Sequence, residues 1–260
     1  MFFRSIDNIM LPHLQLGATG INISPIGLGT VKFGRNQQVK YPQPFAIPTD
    51  AEVSNLLAVA RELNINLLDT APAYGNSEER LGKLLAGQRQ DWVIVTKVGE
   101  EFSDGISHYD FTAQHINFSV RRSLKRLGTD YLDVVLVHSS GADLEIINNY
   151  PVFAVLSELK QAGLIRAFGM STKTVAGGIA TVEQADVAMV TYNPTQQEEK
   201  PVLDLALALH KGIFIKKAFA SGHLDPQAAL KFIYQNKAVN SVIVGTINPE
   251  HLRQNVASYA

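Results

Sequence analysis

The sequence predicts an α/β fold, a closed barrel of eight strand-helix units, on three observations. Short β-branched runs alternate with longer amphipathic segments from end to end, which is the pattern of a parallel sheet with crossover helices. The alternation repeats eight times in 260 residues, about the size at which such a barrel forms. No Gly-rich dinucleotide turn follows the first strand, as an open doubly wound sheet would require.

The strands are expected near Ile26 to Gly29, Asn66 to Asp69, Trp92 to Lys97, Asp133 to His138, Ala167 to Met170, Val187 to Thr191, Ile213 to Lys216 and Val242 to Val244. The helices are expected over Asp50 to Asn64, Ser77 to Ala86, Ala113 to Leu127, Pro151 to Ala162, Lys173 to Glu183, Lys200 to His210, Asp225 to Asn236 and Asn248 to Ser258. Thr49 or Asp50, Thr112, Asp225 before Pro226 and Asn248 before Pro249 read as helix caps. Proline suits a first helical position because its missing N–H would have no intrahelical partner there. His13 to Ile23, around Gly17-Ala18-Thr19-Gly20, reads as an N-terminal β-hairpin covering the barrel floor. Val31 to Pro48 and Gly99 to Phe111 are long stretches without assignment that follow strands, so they belong to the catalytic face.

Composition bounds the function. With 46% hydrophobic and 18% charged residues, the chain can bury one large core, and residues 1–260 are expected to form a single domain. A net charge of −1 offers no electrostatic footprint for nucleic acid or an anionic membrane, which leaves small molecules as the expected partners of a monomer or weak oligomer. The lack of cysteine excludes disulfides and thiolate chemistry. Met1 to Pro12, with Arg4 and Asp7 and no sustained apolar run, does not read as a signal peptide, and no stretch approaches 18 apolar residues. A cytoplasmic protein is expected.

Polar residues at strand C-terminal ends carry the chemistry of such barrels. Asp69 ends the second strand with Tyr74 five residues on; Lys97 ends the third and His138 the fourth. Neighbouring strands lie about 4.8 Å apart, so these side chains can converge above the barrel axis. A phenol is a poor acid at neutral pH unless a cation lies nearby, and Lys97 is placed to be that cation.

These residues resemble the aldo-keto reductases. The resemblance is carried by Leu68-Asp69-Thr70-Ala71 with Tyr74-Gly75, by Thr96-Lys97, by the run from Ser123 to Asp133, by Val137-His138, and by the run from Gly163 to Ser171. It spans about Leu14 to Asn255. It implies that Tyr74 protonates a carbonyl oxygen while a nicotinamide delivers hydride, that Lys97 makes the phenol more acidic, that Asp69 holds Lys97, and that His138 donates a hydrogen bond to the substrate oxygen.

The resemblance also implies a cofactor site at Gly29, Thr30, Asp69, Ser171, Thr172, Lys216, Lys217, Gly245, Thr246, His251, Gln254 and Asn255, with no metal. Several positions depart from the family pattern. Val31 stands where Trp is common, Thr172 where Asn is usual beside the amide-binding Ser171, and Met189 where Gln is usual. Gly245, Thr246 and His251 occupy the places of a Lys-Ser pair and an Arg that grip a 2′-phosphate. Lys216 and Lys217, where a stacking aromatic is frequent, could supply charge instead, so NADP(H) is expected, with NAD(H) tolerated. Tyr192-Asn193 is expected to brace the site.

The chain ends at Ala260, close to the last helix, so a shallow, open substrate pocket with modest discrimination is expected, with Phe33, Trp92 and Phe102 as lining candidates. Two other readings compete. One is a Schiff-base aldolase on Lys97, opposed by the neighbouring carboxylate. The other is a nucleotide-binding redox sensor or regulatory subunit with little turnover.

Overall fold

The computed structural model describes residues 10–39 and 43–259. The N-terminal residues read for a signal sequence lie largely outside this range. A two-stranded antiparallel hairpin, β1 (Leu14–Gln15) and β2 (Asn22–Ile23), opens the described chain. Next come β3 (Ile26–Gly29), α1 (Val31–Gly34), α2 (Asp50–Glu62), β4 (Leu67–Asp69), α3 (Ser77–Leu84) and β5 (Val93–Val98). A second hairpin, β6 (Glu100–Ser103) and β7 (Ile106–Tyr109), precedes α4 (Ala113–Leu127), β8 (Leu132–His138), α5 (Asp143–Asn149), α6 (Val152–Gln161) and β9 (Ile165–Ser171). The chain finishes with α7 (Val175–Gln184), β10 (Val187–Thr191), α8 (Lys200–Ala208), β11 (Gly212–Lys216), α9 (Pro226–Ile233), β12 (Ser241–Val244) and α10 (Pro249–Tyr259).

Strands β3, β4, β5, β8, β9, β10, β11 and β12 pair in parallel in that order, and β12 returns to β3 to close the barrel. The period of two along each strand divides the apolar residues into two cores. Leu67, Val95, Leu136, Met189 and Phe214 fill the barrel interior, where Leu16, Ile21 and Ile23 of the first hairpin join them and plug the floor. The alternate residues Leu68, Ile94 and Val135 face outward and pack with the helices. The expected floor hairpin is therefore present, and so are all eight strands and all eight helices.

Local chemistry starts the helices as expected. Thr49 and Glu52 form a capping box at α2, and Thr112 and Asp225 accept backbone N–H groups at the starts of α4 and α9. Three elements were not anticipated: α1, α5 and the β6–β7 hairpin. The hairpin had a readable signal. Asp104-Gly105, both in the left-handed region with φ of 52° and 77°, is a two-residue turn chemistry that matches strand twist. Among the described residues no helix is long and apolar enough to cross a membrane, and no cluster of His, Asp and Glu could hold a metal ion.

Candidate active site

One further step of two residues beyond the interior apolar layer reaches polar side chains on consecutive strands. Leu67 leads to Asp69, Val95 to Lys97, Leu136 to His138 and Phe214 to Lys216, so the barrel's own parity turns all four toward the C-terminal mouth. They line a cavity of about 260 Å³ with Gly29, Tyr74, Ser171, Met189, Lys217 and Gly245.

Lys97 is 1% exposed, and Asp69 is 3% exposed. The ammonium donates to Asp69 Oδ1 at 2.6 Å and to the Thr70 carbonyl at 2.9 Å. Burial this deep requires such a pairing, since either charge alone would carry a large desolvation penalty. Tyr74 sits on the turn after β4, where its N–H bonds to the Ala71 carbonyl. Gly75 follows with φ of 63°, and a Cβ there would collide with the Gly34 carbonyl, so this turn packs tightly against α1. The result places Lys97 Nζ 4.8 Å from the centre of the phenol ring and the His138 ring edge-on to it at 6.2 Å.

The β6 strand adds a residue that the sequence reading did not single out. Glu100 Oε2 lies 2.7 Å from His138 Nδ1 in a close, bent contact, and Ser107 on β7 donates to Glu100 Oε1 at 2.6 Å. Burial alone would raise the Glu100 pKa, but His138, the Ser107 hydroxyl and the nearby Arg35 charge outweigh it and bring it to about 2. Burial holds His138 below the ordinary imidazole range; Glu100 opposes this, while Lys97 and Lys216 add to it.

The expected cofactor residues divide into three groups. Gly29, Asp69, Ser171, Lys216, Lys217 and Gly245 line the cavity. Thr30 and Thr172 are wholly buried and turned away from it: Thr30 donates to the Asp69 carbonyl at 3.0 Å, and Thr172 donates to Glu199 at 3.1 Å. Gly245, Thr246, His251, Gln254 and Asn255 line a separate cavity of about 540 Å³, shared with Lys32, Asp225 and Glu250. A third cavity of about 550 Å³ joins the two, sharing Tyr74, His138 and Lys217 with the first and Lys32 and Phe219 with the second. The whole is a continuous trough from the buried lysine to α10.

Lys216 lies at the inner end of that trough, away from Thr246 and His251. It donates to Ser171 Oγ at 2.9 Å and to the Thr172 carbonyl. Burial lowers its pKa to about 7 against the opposing pull of Glu199. Asn193 braces the neighbouring turn by donating to the Lys217 carbonyl at 3.0 Å, and Tyr192 packs on Phe232 at 5.2 Å. Of the aromatic lining candidates, Phe33 and Trp92 are core residues, and Phe102 lies beneath the Arg35 guanidinium.

The aldo/keto reductase family model matches residues 25–227. The chain belongs to this family. A crystal structure of a candidate aldo-keto reductase from Pseudomonas aeruginosa superposes with a TM-score of 0.91 at 52% identity, covering 98% of this chain and 97% of that one. The uncharacterised oxidoreductase YqkF of Bacillus subtilis is 25% identical over 93% of this chain and 89% of its own length. D-arabinose 1-dehydrogenase of Saccharomyces cerevisiae is 34% identical over 58% of this chain and 43% of its own length.

Proposed function

We propose that this aldo-keto reductase interconverts aldehydes or ketones with alcohols, using a nicotinamide dinucleotide and Tyr74 as the acid. The observation that carries the reading is the buried Lys97 ammonium, held by Asp69 at 2.6 Å and placed 4.8 Å from the Tyr74 ring centre. A cation there stabilises the negative charge that builds on the phenol oxygen as its proton leaves for a carbonyl oxygen. His138 borders the same space and positions the substrate.

The trough suits an elongated dinucleotide. Gly29 and Gly245 keep its walls open, since a Cβ on Gly29 would press on Ile243 at 3.0 Å. When bound, the nicotinamide would supply or take up hydride; Ser171, Lys216 and Gly245 would hold that end, and Thr246, His251, Gln254 and Asn255 the adenosine end. Around the adenosine end Lys32 faces two carboxylates, Asp225 and Glu250, a balance that does not single out a 2′-phosphate. We therefore expect NADPH and NADH to be used within about tenfold of each other, narrower than the NADP(H) preference expected from sequence. The kinship with a D-arabinose dehydrogenase points to small sugars and hydroxyaldehydes as substrates to try first.

Absorbance at 340 nm with an aldehyde panel tests the reading in wild type and in Tyr74→Phe. Loss of about 10²- to 10⁴-fold in kcat/KM, with cofactor affinity retained, is expected from removing a general acid. Undiminished turnover in Tyr74→Phe would overturn the role of Tyr74. Cofactor binding without turnover of any carbonyl would favour the redox-sensor reading.

A further inference from the structure

We infer that Glu100 fixes the proton of His138 on Nδ1, leaves Nε2 as a bare acceptor facing the substrate, and so selects carbonyl compounds with a hydroxyl beside the reacting carbon. This inference rests on the proposed reductase reading and deepens it.

Glu100 Oε2 and His138 Nδ1 are 2.7 Å apart, too close for two lone pairs to face one another. A proton must lie between them. Glu100 is the poorer place for it, because its neighbours hold its pKa at about 2. The proton therefore belongs to Nδ1. Around the ring stand Glu100 from β6, Lys97 from β5, Lys216 from β11 and Tyr74 from the turn after β4. The two lysines and burial disfavour a second proton on the imidazole, so at neutral pH the ring is neutral. A neutral imidazole with its proton on Nδ1 presents only an acceptor at Nε2.

A carbonyl oxygen is itself an acceptor and would be repelled by that lone pair. The donor for the reacting oxygen is then Tyr74 alone, and the donor role expected for His138 does not apply. Nε2 needs a partner that donates, and a hydroxyl on the adjacent carbon of the substrate is such a group. Plain aldehydes would leave Nε2 unpaired, a penalty that sites built for a substrate hydroxyl impose on analogues lacking it. Glu100 is a positioning residue in this account, steadied by Ser107 and carried to His138 by the β6–β7 hairpin.

Long-range ¹⁵N–¹H spectra of histidine-labelled protein at pH 7.5 read the tautomer directly. The protein has 7 histidines, and His138 is assigned by its loss in His138→Gln. Wild type is expected to show a protonated Nδ1 and a bare Nε2; a protonated Nε2 would overturn the proposal without any variant being made. In Glu100→Gln the amide can donate to Nδ1, and the proton should move to Nε2. The functional arm compares lactaldehyde with propionaldehyde, which differ by one hydroxyl. Wild type should favour lactaldehyde by about tenfold in kcat/KM, and Glu100→Gln should abolish that preference while keeping turnover of propionaldehyde. A preference unchanged in Glu100→Gln would also sink the assignment. The spectra do not depend on turnover, so failure of the reductase reading and failure of this inference are distinguishable.

Discussion

The two ends of the trough are made of different material. At the inner end, Asp69, Lys97, His138 and Lys216 project from barrel strands, and Lys97 and Asp69 are sealed from solvent. At the outer end, Lys32, Asp225, Glu250 and His251 come from the first turns of helices or the residues just before them, and the exposed side chains among them have room to move. A strand in a closed barrel fixes both the height and the direction of a side chain, whereas a helix start fixes little beyond the backbone. Chemistry that depends on one geometry is placed where geometry is determined. Selectivity between two cofactors sits where a few charges balance.

Removing the ammonium from the inner end should have the largest effect of any change to the trough. Lys97→Met leaves the Asp69 carboxylate buried without its partner, which costs about 3–5 kcal/mol of stability. It should also lower kcat/KM on the order of 10³-fold, within the range for lost acid-base assistance. The two effects separate in the double variant Lys97→Met with Asp69→Asn. Thermal melts should recover most of the lost stability because no unpaired charge remains, while the rate stays low. A double variant with near-wild-type turnover would show that the ion pair holds the fold and leaves the acid alone.

The same contrast explains what could be read in the sequence. Asp69, Lys97 and His138 stood out because each ends an apolar strand and falls in inward register, a period-two pattern that needs no tertiary information. Glu100 did not, because it precedes a hairpin and only the folded turn at Asp104-Gly105 brings it back over His138. Thr30 and Thr172 had the right positions along the chain, yet their hydroxyls satisfy the buried Asp69 carbonyl and the Glu199 carboxylate. Lys216 and Lys217 are adjacent in sequence, but strand parity buries the first against Ser171, while a positive φ of 53° redirects the second. One-dimensional spacing cannot distinguish a hydroxyl that faces a cavity from one consumed by the protein.

Lys216 offers a smaller effect that still probes the inner end. Its pKa is lowered from the usual lysine value to about 7, so it is an ammonium below that pH and a neutral amine above it. Glu199 opposes the shift, and Lys217 adds to it. An oxidised nicotinamide is a cation, so the charged lysine should repel it more than it repels the neutral reduced form. Affinity for the oxidised cofactor should therefore rise several-fold between pH 6 and pH 8, with the reduced form little changed. Fluorescence titrations across that range check this, and Lys216→Met should flatten the dependence. An oxidised-cofactor affinity that is flat with pH in wild type would place the nicotinamide away from Lys216.

At the outer end the effects should be smallest, because the charges there are wetter and screened. Asp225 is the informative position. Its carboxylate lines the cavity and also caps α9 by accepting the Ala228 N–H at 2.8 Å. An alanine would delete the charge and the cap together, at a cost of about 1 kcal/mol in helix stability. Asp225→Ser keeps a capping oxygen and removes only the negative charge. If the carboxylate helps the outer end to accept a 2′-hydroxyl over a 2′-phosphate, the serine variant should shift the NADPH to NADH ratio of kcat/KM toward NADPH by about three- to fivefold at low salt. Raising the salt to about 0.5 M should shrink that shift, since exposed charges interact over a Debye length of only a few ångströms there. Glu250→Gln, one turn into the charge cluster and with no cap to lose, should move the ratio in the same direction. Equal and opposite movements in the two variants would mean that the adenosine does not lie between them, and that the outer cavity belongs to something other than the cofactor.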